Sequence, residues 1–171
     1  VPTKRELCEA EDAGWQAFVA ALAEVSNERC ELTGYYPHWS IRDMVGHIGS
    51  WQAEAVQIFE QIRVGTYRPE RLDIDEMNRR FVEANRDQPA QVVKAECAAS
   101  RTRMLQEFDR LEVLTVPAEG WFVECGANHY AEHVPRLLEW AAELAGRGAD
   151  GMVSPVPSVR AEDTGIAQSR P

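Results

Sequence analysis

The sequence predicts an all-α protein built as a four-helix bundle. Three observations carry this expectation. Long segments place apolar residues at i, i+3, i+4 and i+7, the period of a helix that buries one face. Residues that start or stop helices, such as Ser40, Gly65 and Pro89, fall between those segments. No segment of any length shows the alternating pattern of a half-buried strand.

The first helix is expected over residues 3–26, where Trp15, Phe18, Val19 and Leu22 line one face. Residues 31–39 hold Gly34, Tyr35, Tyr36 and Pro37 and read as a loop. Ser40 caps the second helix, with Asp43 at its third position as a short form of the capping-box acid. The stripe of that helix is Met44, Ile48, Trp51, Ala55, Ile58 and Ile62, a bundle seam ending at Gly65.

Residues 65–88 form a long, partly helical connection. A short helix over 74–86 turns Ile74, Met77, Phe81 and Val82 inward, and Asn78 falls on the same side. So long a link permits a crossover, so the helices it joins need not be antiparallel. The third long helix is expected over 89–111, with Pro89 in its first turn and Val93, Cys97, Ser100, Met104, Phe108 and Leu111 as its stripe. Residues 112–122 read as a loop around Pro117 and Gly120. The last helix starts between 122 and 128, ends near Gly146, and carries Pro135 inside it, where a kink is expected. Residues 1–146 therefore make one bundle domain, and 147–171, rich in Gly, Pro, Ser and Asp, read as a flexible tail.

The bulk properties narrow the function. A net charge of −10 disfavours nucleic acid and anionic membrane surfaces as partners. No apolar run approaches the ~20 residues of a membrane span, and the opening residues lack a signal-peptide pattern. A cytoplasmic protein is the expectation. Cys8, Cys30, Cys97 and Cys125 form no CxxC pair and read as free thiols.

The chemistry lies in three of the four histidines. His129 and His133 are four apart, hence one turn apart on one helix face. They continue the apolar stripe of Leu137, Trp140 and Leu144, and His47 lies beside the seam residue Ile48. Three imidazoles therefore stand where core residues belong, and burying them without partners would be costly. Either hydrogen bonds satisfy them as a polar layer, or they hold one metal ion with a coordination position left open. Glu54, two turns after His47, is the candidate catalytic carboxylate, as general base or as an orienter of imidazole. Trp51, Asn78, Trp121 and Cys125 are candidates for substrate contact, with a core role for Trp51 as the plainer alternative. His38 reads as a surface residue. If the helices bearing His47 and the histidine pair are parallel, their levels match directly; if antiparallel, the last helix must begin near 119–122.

The segments Trp39-Ser40-Ile41-Arg42-Asp43-Met44-Val45-Gly46-His47-Ile48-Gly49-Ser50-Trp51 and His129-Tyr130-Ala131-Glu132-His133 resemble the DinB/YfiT-like superfamily. The resemblance is greatest to members similar to the N-terminal domain of mycothiol-dependent maleylpyruvate isomerase, and it extends loosely through Asp75-Glu76-Met77-Asn78. It implies a bundle with one divalent metal ion, zinc or nickel, held by His47, His129 and His133. Some relatives use a glutamate where this chain has one of its last two histidines. The resemblance also implies a low-molecular-weight thiol such as mycothiol or bacillithiol as cosubstrate, in transferase, isomerase or detoxifying chemistry on a small molecule. Sequestration of a reactive compound and hydrolysis by metal-activated water are the alternatives, and homodimerisation is left open.

Overall fold

The computed structural model describes residues 2–147. Its helices are α1 (Lys4–Ala23), α2 (Asn27–Cys30), α3 (Ile41–Arg63), α4 (Ile74–Asn85), α5 (Ala90–Asp109), α6 (Val116–Cys125) and α7 (Ala127–Gly146). A small hairpin, β1 (Thr33–Tyr36) and β2 (Trp39–Ser40), precedes α3. The all-α expectation holds. Except for Arg147, the tail expected over 147–171 lies outside the described residues. Among the described residues no helix is long and apolar enough to cross a membrane.

Local chemistry explains where the helices begin. The Ser40 hydroxyl accepts from the Asp43 amide, and the Asp43 carboxylate accepts from the Ser40 amide, closing the expected box. Thr3 and Glu6 do the same for α1, and Asp73 caps α4. Each cap satisfies an amide that the first turn leaves without a helical partner.

Two expectations need correction. The stretch read as a loop over 31–39 holds the hairpin, whose strands pair Thr33 with Ser40 and Tyr36 with Trp39. Strands this short display no alternation, so Gly34 and Pro37 dominated the sequence pattern. The loop expected over 112–122 is largely α6. Thr115 caps it and Pro117 lies in its first turn, where a missing amide proton costs no helical bond. The interruption of the last helical run falls at Gly126, and α7 continues through Pro135. Gly126 is required there by close approach: a Cβ would stand 2.8 Å from the Phe122 carbonyl oxygen and 2.9 Å from Cγ of Glu11.

Side-chain pairings give the helix directions. Gln52 meets Cys97 and Phe59 meets Phe108, so α3 and α5 run parallel, as the crossover connection allows. His47 meets His129, Gln52 meets Tyr130, and Phe59 meets Phe122, so α3 runs antiparallel to α6 and α7. The helical run before His129 therefore begins early, as the antiparallel case demands.

The core has two apolar parts. One gathers Phe18, Ile41, Met44, Ile48, Leu137, Trp140 and Leu144. The other gathers Ala55, Phe59, Met104, Phe108, Trp121 and Phe122, with the Phe108 and Phe122 rings stacked at 3.8 Å. Burying each such large side chain contributes roughly 2 kcal/mol. His47 and Gln52 of α3 and His129 and His133 of α7 are buried as well.

Candidate metal centre

His47 projects from the second turn of α3, and His129 and His133 project from successive turns of α7. Antiparallel packing brings the three to one level inside the bundle. They are 5%, 6% and 1% exposed, so water does not solvate them. One nitrogen from each lies within 4.8 Å of the others. Nε2 of His47 stands 2.9 Å from Nε2 of His129. The ring centroid of His133 is 5.5 Å from that of His47 and 5.2 Å from that of His129.

Burial holds all three rings neutral. His133 is pushed down to about 4 by desolvation. His47 and His129 are driven well below the usual histidine range by burial first, then by neighbouring imidazoles. Neutral imidazole is the form that ligates metal. The remaining nitrogens are treated unequally. Nδ1 of His133 lies 3.2 Å from the Tyr35 hydroxyl. Nδ1 of His47 is buried with no hydrogen-bond partner, although the Asn78 amide is near enough to oppose the depression of its pKa.

This donor set fits a small divalent cation. Two nitrogens bound to one tetrahedral zinc at ~2.0–2.1 Å would stand ~3.3 Å apart, so the His47–His129 pair need open by only a few tenths of an ångström. Three protein ligands would leave one position for a substrate atom. As a purely structural layer the cluster is poor, because an unpartnered buried nitrogen costs about 1–3 kcal/mol.

The other predicted residues spread outward from the histidines. The Trp51 indole donates to Oδ1 of Asn78 at 2.9 Å, and both residues are buried. Trp51 also packs against Trp121, with centroids 6.3 Å apart. Trp121 and Glu54 line an open cavity of about 1260 Å³, walled further by Ile58, Gln61 and the connecting segment from Thr66 to Asp75. Burial raises the Glu54 carboxyl, and Arg80 partly offsets it. Cys125 is buried beside the apolar core, and desolvation pushes its thiol far above the ordinary range, so it is no reactive thiolate. Trp39 packs against His47 at 5.1 Å. His38 is exposed, as expected.

Sequence reasoning missed a second buried polar cluster. Gln52 donates to the Tyr130 hydroxyl at 2.7 Å, Tyr130 donates to Glu11 at 2.8 Å, and Arg101 grips both Glu11 oxygens. A signal for Glu11 existed: it stands four residues before Trp15 and seven before Phe18, on the apolar face of α1. Tyr35 gave no such signal, because it lies outside any periodic segment.

Residues 9–136 match the family described as the mycothiol maleylpyruvate isomerase N-terminal domain. The chain belongs to this family. Its all-α, DinB-like bundle agrees with that membership. No curated protein matches the chain. A crystal structure of an uncharacterised protein from Escherichia coli UTI89 is similar at 18% identity with a TM-score of 0.72. That likeness covers 85% of this chain and 96% of the other, and it shows the fold.

Proposed function

We propose that this member of the family is a metal-dependent enzyme acting on a small molecule, with a low-molecular-weight thiol as cosubstrate in transferase or isomerase chemistry. One observation carries the reading: three neutral, buried imidazoles converge with Nε2 of two of them 2.9 Å apart. Family membership favours thiol chemistry over hydrolysis. Bound there, zinc or nickel would keep a coordinated thiol as its thiolate at neutral pH.

The chain's own residues supply the rest. The buried walls exclude water, which strengthens every polar contact made inside. Glu54 stands at the cavity wall with its carboxyl raised toward neutrality, suited to exchange a proton with a substrate there. Trp51, held by Asn78, packs against Trp121, which lines that cavity.

The test begins with metal analysis of protein purified without a nickel column. About one zinc or nickel per chain is expected. The purified protein is then assayed for consumption of electrophiles with mycothiol, bacillithiol or glutathione. Turnover that needs both thiol and metal, and is lost in His133→Ala, supports the enzyme. A preparation that neither contains nor takes up zinc or nickel would end the reading. Tight ligand binding without turnover would replace it with sequestration.

A further inference from the structure

The hairpin ahead of α3 is held to α7 by unusual means. Nε of Arg136 donates to the Tyr35 carbonyl oxygen at 2.8 Å, and Nη2 donates to that of Gly34 at 3.2 Å. The Arg136 guanidinium also lies over the Trp140 ring at 5.4 Å. Gly34 has a φ of 117°, and a Cβ there would stand 2.7 Å from the Trp140 ring. Glycine thus serves both the backbone conformation and the close approach. The consequence is that the Tyr35 phenol, fully buried, reaches the histidine cluster.

That phenol has two partners on one residue. Its oxygen is 3.2 Å from the carbonyl oxygen of His133 and 3.2 Å from Nδ1 of the same ring. A hydroxyl has one proton to give. For both contacts to be hydrogen bonds, the hydroxyl proton must go to the carbonyl oxygen, which can only accept. The phenol oxygen can then only accept from the ring, which requires Nδ1 to carry the imidazole proton. A neutral imidazole protonated at Nδ1 has a bare lone pair at Nε2.

We propose that Tyr35 is a positioning residue that fixes His133 as the Nδ1–H tautomer and so presents Nε2 for metal binding. The proposal rests on the metal-centre reading, but its tautomer half can be tested without metal. The donor–acceptor relay runs in one direction only, from Nδ1–H to phenol to carbonyl. Partners of this kind fix ring orientation and raise ligand basicity. His47 has no such phenol: its Nδ1 makes no hydrogen bond, although the Asn78 side chain lies near it. The hairpin thereby gains a role, because Arg136, Gly34 and Trp140 dock it so that the phenol arrives at His133.

Long-range ¹H–¹⁵N correlation spectra of the metal-free protein at neutral pH read the tautomer directly. Wild type should show a protonated Nδ1 and a bare Nε2 at His133. Tyr35→Phe should move the ring toward the other tautomer or a mixture. Zn²⁺ affinity, measured by competition with a chromophoric chelator, should fall about 10–100-fold in Tyr35→Phe. Gly34→Ala, which pushes the hairpin off Trp140, should weaken zinc binding in the same way. Tyr130→Phe removes another buried phenol of the same bundle and should leave zinc affinity within about threefold, which separates positioning from general loss of packing. A wild-type ring protonated at Nε2 would overturn the proposal, as would a Tyr35→Phe protein with unchanged tautomer and zinc affinity. If wild type shows the Nδ1–H tautomer yet binds no zinc or nickel, the metal-centre reading fails and the tautomer assignment stands.

Discussion

Two buried polar clusters lie side by side in this bundle, and they are built on opposite plans. Both take residues from α3 and α7, and His129 and Tyr130 are sequence neighbours that serve one each. The Gln52–Tyr130–Glu11–Arg101 cluster closes on itself: each group has a partner of opposite character, and the chain ends at an arginine that reaches the surface and also holds Asp12. The histidine cluster does not close. Two Nε2 atoms face each other, and His47 keeps an unpartnered nitrogen in the core. The satisfied cluster has what a structural layer needs. The unsatisfied one has the donors of a ligand site. Burial alone does not separate the two, and hydrogen-bond bookkeeping does.

The most severe challenge to this contrast is His133→Ala. Zinc affinity should drop by more than ~100-fold, beyond what loss of an outer partner causes, with metal content per chain as the measurement. Unchanged zinc content would make the two clusters equivalent. Next, Glu11→Ala should cost ~2–3 kcal/mol in urea unfolding, because it strands the Tyr130 hydroxyl and removes a buried partner of Arg101, which keeps Asp12. Its zinc affinity should stay within about threefold.

Acid should strike the histidine cluster. The folded-state pKa of each ring lies below the unfolded value, so the unfolded chain binds more protons as pH falls beneath ~6.5, and stability falls with it. For His133 the loss continues down to about pH 4, and it amounts to ~3 kcal/mol when complete. Unfolding of metal-free protein followed from pH 7 to 4 should show this slope, and His133→Asn should flatten it. The smallest effect is expected for Gln52→Leu, ~1 kcal/mol of stability with no change in zinc content. A large loss of zinc in that variant would show that the clusters are coupled.

Much of this was legible in the chain. Met44, Ile48, Trp51 and Ala55 announced α3 through their spacing, and Ser40 and Asp43 announced its start. His47, His129 and His133 stood out because each interrupts an apolar stripe. α6 and the hairpin were not legible for different reasons. Pro117 is compatible with a helix only in the first turn, and sequence alone did not say that Thr115 caps one. The hairpin strands are held by contacts with α7, made by Arg136 and Trp140, about 100 residues away in the chain. Glu11 lay on an apolar face and was readable in principle; its partners Tyr130 and Arg101 were not.

Local sequence was enough to make the protein helical, to start most of its helices, and to mark the three imidazoles that are buried. Those properties follow from periodicity and capping, which act within a few residues. Long-range packing was needed to set α3 against α7 and along α5, to bring Nε2 of His47 to Nε2 of His129, and to carry a phenol from a short hairpin to His133. Those outcomes join segments far apart in the chain, where a donor finds its acceptor only after the helices have chosen their directions.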